Sequence, residues 1–273
     1  MFIRSVGAIR VVSIGLVLLL MGTGSRAADV PLVERQWQID DTPRKALWAI
    51  PDSAKATPSP LVFVFHGHGG TMENAAKSFG IHRLWPEAIV VYMQGLPTPG
   101  ALTDPQGKLP GWQKTLGDQN DRDLKFFDAV LKTLREQYKV DDKQIYCTGH
   151  SNGGAFTYLL WAERGETFAA VAPSAAAYRR YQDLKPKPAL HVAGQNDHLV
   201  AYAMQQRMMD FVRQLDGCSA TGQPWATSGP LVGTLYPSDK GTPFVSLIFP
   251  GGHQFPAEAP GLIVRFFKEH QKS

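Results

Sequence analysis

Gly149-His150-Ser151-Asn152-Gly153-Gly154, preceded by Gln144-Ile145-Tyr146-Cys147-Thr148 and followed by Ala155-Phe156-Thr157-Tyr158-Leu159-Leu160, decides the fold. The first flank has the length and residue types of a buried strand, and the second has helical spacing. A strand that turns into a helix at a single residue forces Ser151 into a strained backbone. Side chains at the flanking glycines would collide with the neighbouring strand and helix. The hydroxyl is thereby held at the C-terminal edge of a sheet with a helix N-terminus behind it, which is the context of a nucleophile elbow. A bare G-x-S-x-G is a weak pattern; these two flanks make it specific.

Outward from the elbow, strand-type runs recur at Leu61 to Phe65, Ala88 to Tyr92, Phe168 to Ala172, Ala189 to Ala193 and Val245 to Phe249. Runs of this length without strict alternation are expected in strands covered on both faces. Helical spacing appears in Leu124, Phe127, Val130, Leu131 and Leu134, after Ser151, from Ala203 to Leu215, and from Leu262 to Phe267. Alternating strands and helices predict an α/β chain with a mostly parallel, doubly wound sheet and helices on both faces. Gln36 to Asp40 and Ala46 to Ile50 predict an antiparallel ribbon that opens it. The stretch from Gly95 to Asp121 has four prolines and neither period, and is expected to be a long ordered loop.

A serine hydroxyl needs a base to take its proton. His253 is the favoured base, because Gly251-Gly252-His253 directly follows a strand and can fold over the sheet edge. His150 adjoins the serine, where its side chain is expected to point away. An acid lying between serine and histidine in chain order completes the arrangement, and Asp197 follows the strand that ends at Ala193. Asp210 and Asp216 lie in or after the next helix and are read as solvated charge. A tetrahedral oxyanion needs preorganised N–H donors. The His68 amide in His66-Gly67-His68-Gly69-Gly70 and the Asn152 amide are expected to supply them. His66 and His68 have H-x-H spacing, but no carboxylate or cysteine motif completes a shell, so no metal is expected.

The N-terminal segment carries Arg4 and Arg10 before an apolar run from Val11 to Met21, and small residues from Gly22 to Ala28. Residues 1–27 are therefore expected to be a signal peptide, too short in its apolar run to insert stably in a membrane, with a single domain over 28–273. The leader would hold three arginines and no acid, so a formal net charge of +4 falls to about +1 in the mature chain. Basic residues form no stripe, which excludes nucleic acid as a partner. Two cysteines, Cys147 and Cys218, make no disulfide framework, and whether they are bridged stays open.

With these residues placed, the chain resembles secreted α/β-hydrolase esterases related to polyhydroxybutyrate depolymerases and to feruloyl and acetylxylan esterases. The carriers are His66-Gly67, Val90 to Gly95, Gly111-Trp112, Val140-Asp141, the elbow, Phe168 to Pro173 and Gly251-Gly252-His253. The resemblance implies the α/β-hydrolase fold, Ser151, Asp197 and His253 as catalytic residues, and His68 as an oxyanion donor. It further implies a secreted or periplasmic serine esterase without a cofactor. Departures fall around the substrate site: depolymerase-like members tend to carry cysteine at His68 and Gly111, proline at Met93 and tryptophan at Phe255. Trp112 and Phe255 are assigned to substrate binding, with anchoring of the long loop as the other reading of Trp112. No separate adsorption domain is evident, so the expected substrates are short soluble esters: acylated sugars, aromatic esters or hydroxyalkanoate oligomers. A peptidase of the same fold and a catalytically silent carbohydrate-binding protein are the alternatives.

Overall fold

The computed structural model describes residues 30–100 and 103–272; the expected signal peptide lies outside them. The described residues begin with β1 (Leu32–Ile39) and β2 (Thr42–Ala49), followed by β3 (Ser59–Phe65), α1 (Met72–Phe79), α2 (Ile81–Leu84) and β4 (Ile89–Met93). Among its described residues the long loop contains the two-residue pair β5 (Leu96–Pro97) and β6 (Pro110–Gly111), and it ends in a 3-10 turn at Asp118–Asp121. Then come α3 (Arg122–Gln137), β7 (Val140–His150), α4 (Asn152–Arg164), β8 (Ala170–Ser174), β9 (Ala189–Gly194) and α5 (Tyr202–Leu215). The chain closes with β10 (Gln223–Ser228), β11 (Leu231–Tyr236), β12 (Phe244–Phe249) and α6 (Ala259–Lys268).

Ten strands form one sheet in the order β1-β2-β4-β3-β7-β8-β9-β12-β11-β10. The run from β4 to β12 is parallel throughout. β1 and β2 on one side and β11 and β10 on the other are antiparallel. This is the expected mostly parallel sheet, including the opening ribbon. Sequence periodicity missed α1, α2, β10 and β11.

The pleat explains how the sheet is buried. Along β3, Leu61, Phe63 and Phe65 enter the core beneath α3, α4 and α5, while Val62 and Val64 enter the core beneath α1 and α6. Each such buried apolar side chain contributes roughly 1.5–3 kcal/mol relative to exposure. The result is a rigid slab whose C-terminal edge carries the loops of interest. No helix among the described residues is long and apolar enough to cross a membrane.

The described part of the long loop is anchored by buried polar groups. Arg44 on β2 pairs with Asp123 at 2.7 Å with both side chains fully enclosed, and it also donates to Gln94 O at 3.2 Å and Arg122 O at 3.0 Å. Asp123 Oδ2 in turn accepts from Gln113 N at 2.8 Å. An enclosed ion pair is tolerated best when its remaining groups find partners; here the two ends of the loop supply them for both terminal guanidinium nitrogens of Arg44, while Arg44 Nε has none among the described residues.

Candidate active site

Loops leaving β3, β7, β9 and β12 meet at the C-terminal edge of the parallel strands. At the elbow Ser151 has φ 56° and ψ −119°, and its N–H donates to Ser174 O at the end of β8 at 2.8 Å. A Cβ on Gly149 would run into the backbone of Gly153, and one on Gly153 into the carbonyls of Phe65 and His66. Glycine is required at both positions because β3, β7 and α4 pack backbone against backbone.

Ser151, Asp197 and His253, distant in the chain, come together here. His253 Nε2 lies 2.7 Å from Ser151 Oγ, and its Nδ1 lies 2.7 Å from Asp197 Oδ2. A carboxylate accepts only, so Nδ1 carries the proton and Nε2 is left to accept from the serine hydroxyl. Asp197 Oδ1 accepts from the amides of Leu199 and Val200, each at 2.9 Å, and Oδ2 accepts also from Gln205 Nε2 at 2.9 Å. Four donors compensate the desolvation of this enclosed carboxylate. The loops after β9 and β12 are stitched by Asn196 N to Gly251 O at 2.9 Å and by Asn196 Nδ2 to Pro250 O at 2.7 Å.

Gln205, fully buried on α5, was not legible as a functional residue. Besides Asp197 it touches His191 Nε2 through Oε1 at 3.2 Å, and His191 Nδ1 meets Tyr158 Oη at 2.8 Å. An amide oxygen accepts, so His191 donates from Nε2 and the tyrosine hydroxyl donates to Nδ1. Burial pushes the His191 imidazole down to about 4, so it stays neutral and holds this chain of partners. In the sequence, Gln205 was one polar position on an otherwise amphipathic helix.

The turn after β3 lies against the elbow. Neither the His68 N–H nor the Asn152 N–H, the latter at the free N-terminus of α4, has an acceptor among the described residues. His66 is enclosed: its Nδ1 faces Gly67 O at 2.7 Å, and its Nε2 accepts from Gly95 N at 2.9 Å. Burial holds this imidazole down at about 4. It is a neutral structural pin between β3 and the start of the long loop.

Three expectations require correction, those for Trp112, Asp216 and His150. Trp112 is fully enclosed, stacked on Phe156 with centroids 5.1 Å apart and edge-on to Phe65, and its Nε1 donates to His66 O at 2.9 Å. Its faces are taken by protein, so it anchors the loop and offers no wall to a ligand. Asp216 is not solvated but fully buried at the end of α5; Oδ1 accepts from Lys187 N at 2.9 Å, and Oδ2 has no partner among the described residues. Burial raises this carboxyl to about 8. Asp210 does sit in solvent, paired with Arg213. Cys147 and Cys218 are free thiols.

Phe255 is half-buried and stacks on Phe79 with centroids 4.1 Å apart. The His150 ring does not point away from the site: it lies 5.1 Å from the His253 ring and 5.8 Å from Phe255. Burial, with His253 adding to it, pushes His150 down to about 4, so this imidazole is neutral near pH 7.

Comparison with known proteins bears on the fold and on the class of enzyme. Residues 112–179, which include the elbow, match the prolyl oligopeptidase family model. Feruloyl esterase C of Emericella nidulans is 27% identical over 215 residues, spanning 77% of this chain and 76% of that protein. Among solved structures, the acetyl xylan esterase from Aspergillus awamori superposes with a TM-score of 0.64 at 12% identity, covering 86% of this chain and 99% of that one. A ferulic acid esterase gives a TM-score of 0.63 at 15% identity over 88% of this chain and 98% of that one. The fold is that of the α/β-hydrolases. Within that class the relatives in sequence, enzymes named feruloyl esterase, support a carboxylic-ester hydrolase.

Proposed function

We propose that the chain is a secreted or periplasmic enzyme that hydrolyses short soluble carboxylic esters through an acyl-enzyme, with Ser151 as nucleophile, His253 as general base and Asp197 as the acid that orients it. His253 takes the hydroxyl proton as Ser151 Oγ attacks the ester carbonyl. The amides of His68 and Asn152 receive the charge that develops on its oxygen. His253 then protonates the leaving alcohol, and water, activated by the same imidazole, releases the acid. The observation that carries this is the unbroken line from Ser151 Oγ through His253 to Asp197, with both contacts at 2.7 Å.

Phe255, in ring contact with Phe79 on one side and with His150 on the other, reaches His253 through the His150 ring and would contact the acyl or alcohol group. Acylated sugars, aromatic esters and hydroxyalkanoate oligomers are the substrate classes put forward. One panel tests this: 4-nitrophenyl acetate and butyrate, methyl ferulate, acetylated xylooligosaccharide, hydroxybutyrate trimer and a polymer film. Turnover of at least one soluble ester well above the film is expected; rapid film erosion with no activity on any soluble ester would sink it. The prolyl oligopeptidase match favours a second reading, peptide-bond cleavage. Hydrolysis of a proline-containing peptide amide faster than of every ester would select that reading.

A further inference from the structure

His68 and Asn152 stand on different elements, one in the turn after β3 and the other at the first position of α4, yet their side chains grip the same segment of the long loop. Asn152 Oδ1 accepts from Trp112 N at 2.7 Å, and its Nδ2 donates to Trp112 O at 3.1 Å. His68 Nε2 meets Asp104 Oδ2 at 3.2 Å, and that oxygen also accepts from Leu109 N at 2.8 Å. Between them lies Gly111: a Cβ there would stand 2.6 Å from His68 Nδ1 and 2.8 Å from Asn152 Oδ1. Two more ties are a backbone bond from Gly69 N to Pro110 O at 2.7 Å and a bond from the Trp112 indole Nε1 to His66 O at 2.9 Å.

We infer that the segment from Asp104 to Trp112 is a strap that sets the spacing of the two oxyanion amides, with the Asn152 side chain as its principal positioning residue and the His68–Asp104 pair as a second. Oxyanion donors work only within about 2.7–3.1 Å of the place the charged oxygen will occupy. Each amide is carried by a residue whose side chain is fixed to one shared, glycine-narrowed loop. Loosening the loop therefore moves the donors relative to each other while Ser151, His253 and Asp197 keep their own contacts. A strap of this kind acts on the tetrahedral species and leaves ground-state binding alone.

The test uses the full chain and two readouts, ester kinetics and inhibition by an aryl trifluoromethyl ketone. In the inhibited complex Ser151 Oγ bonds to the ketone carbon, the carbonyl π pair moves onto oxygen as an oxyanion, and the serine proton passes to His253. Asn152→Ala is expected to lower kcat about 10- to 100-fold with KM within about threefold, and to weaken the ketone by the same factor that kcat/KM falls. Asn152→Asp keeps the acceptor for Trp112 N and loses the donor to Trp112 O, so its activity falls between the two. Should Asn152→Ala fail to fold, Asp104→Ala carries the test with a smaller loss of about tenfold, and Asp104→Asn, which keeps an acceptor for Leu109 N, restores most of it. Ketone affinity unchanged in folded Asn152→Ala and Asp104→Ala, or losses confined to KM, would overturn the strap. Since the strap rests on the proposed site, a fluorophosphonate label mapped on the wild type separates the failures: absence of label at Ser151 sinks both, whereas label at Ser151 with indifferent strap variants sinks the strap alone.

Discussion

Helix α5 carries a buried aspartate beyond each end, and the two are opposites. Asp197, before its N-terminus, has donors on both oxygens: two backbone amides, Gln205 and His253. Asp216, at its C-cap, has one donor on Oδ1, none among the described residues on Oδ2, and lies beside the negative end of the helix dipole. Burial alone therefore does not mark a candidate catalytic carboxylate. What distinguishes the two is the donor set: at Asp197 the fold surrounds the oxygens with partners and leaves one for an imidazole, while at Asp216 the carboxyl is driven toward its neutral form.

The sharpest contrast between them is chemical. Asp197→Asn places an amide against His253 Nδ1 and favours the wrong tautomer, so kcat is expected to fall by about 10⁴ with little change in KM; steady-state kinetics on 4-nitrophenyl butyrate measure this. Asp216→Asn should leave kcat within about twofold under the same conditions, since distant sites act independently. Comparable losses in the two variants would erase the distinction. A middle case is Gln205→Leu, which keeps volume and removes one of the four donors to Asp197. A loss of about 10- to 100-fold in kcat is expected, by analogy with the loss of an outer hydrogen-bond partner of a metal-ligating histidine or carboxylate.

The smallest effect is in stability against pH. Asp216 takes up protons in the folded protein up to about 8, well above its ordinary 3.8. The folded state therefore binds more protons than the unfolded one in that window, and this group's stabilisation falls as pH rises from about 4 to 8. His66, His150 and His191 do the reverse: each drops from 6.5 to about 4 on folding. Their stabilisation is present above 6.5 and is lost as pH falls toward 4. From these groups the melting temperature is expected to climb from pH 4 to 6.5 and decline from 6.5 to 8, with Asp216→Asn removing the decline, a difference of a few degrees. A wild type and Asp216→Asn with parallel melting curves across pH 6.5–8 would show that the buried carboxyl does not couple to folding.

What could be read from the sequence follows the same division between local and long-range causes. The elbow was legible because its requirement is local: a serine with φ 56° between a strand and a helix, with glycines wherever a Cβ would meet backbone. Asp197 and His253 were legible because each sits in a short loop directly after a strand, so chain order alone delivers them to one sheet edge. Helix α1 was missed although its ends are signalled, by Thr71 accepting from Asn74 N at 3.2 Å and by Gly80 in the left-handed region with φ 54°; eight residues are too few for periodicity to show. Strands β10 and β11 were missed because β10 is an exposed edge with a proline and only partial burial. Trp112, Gln205 and Asp216 escaped because their burial is set by elements far away in the chain. A tryptophan able to stack on a sugar and one stacked on Phe156 look the same in the sequence.

The central claim is that Ser151 is the nucleophile activated through His253 and Asp197. It is tested most directly by mass mapping of a fluorophosphonate adduct on the full chain alongside the turnover of Ser151→Ala. A single label on the peptide bearing Ser151, no label on Ser151→Ala, and an ester kcat at least about 10⁴-fold lower in a variant that melts like the wild type are expected. Label on another residue, or a Ser151→Ala enzyme that keeps more than a small fraction of wild-type turnover, would contradict it.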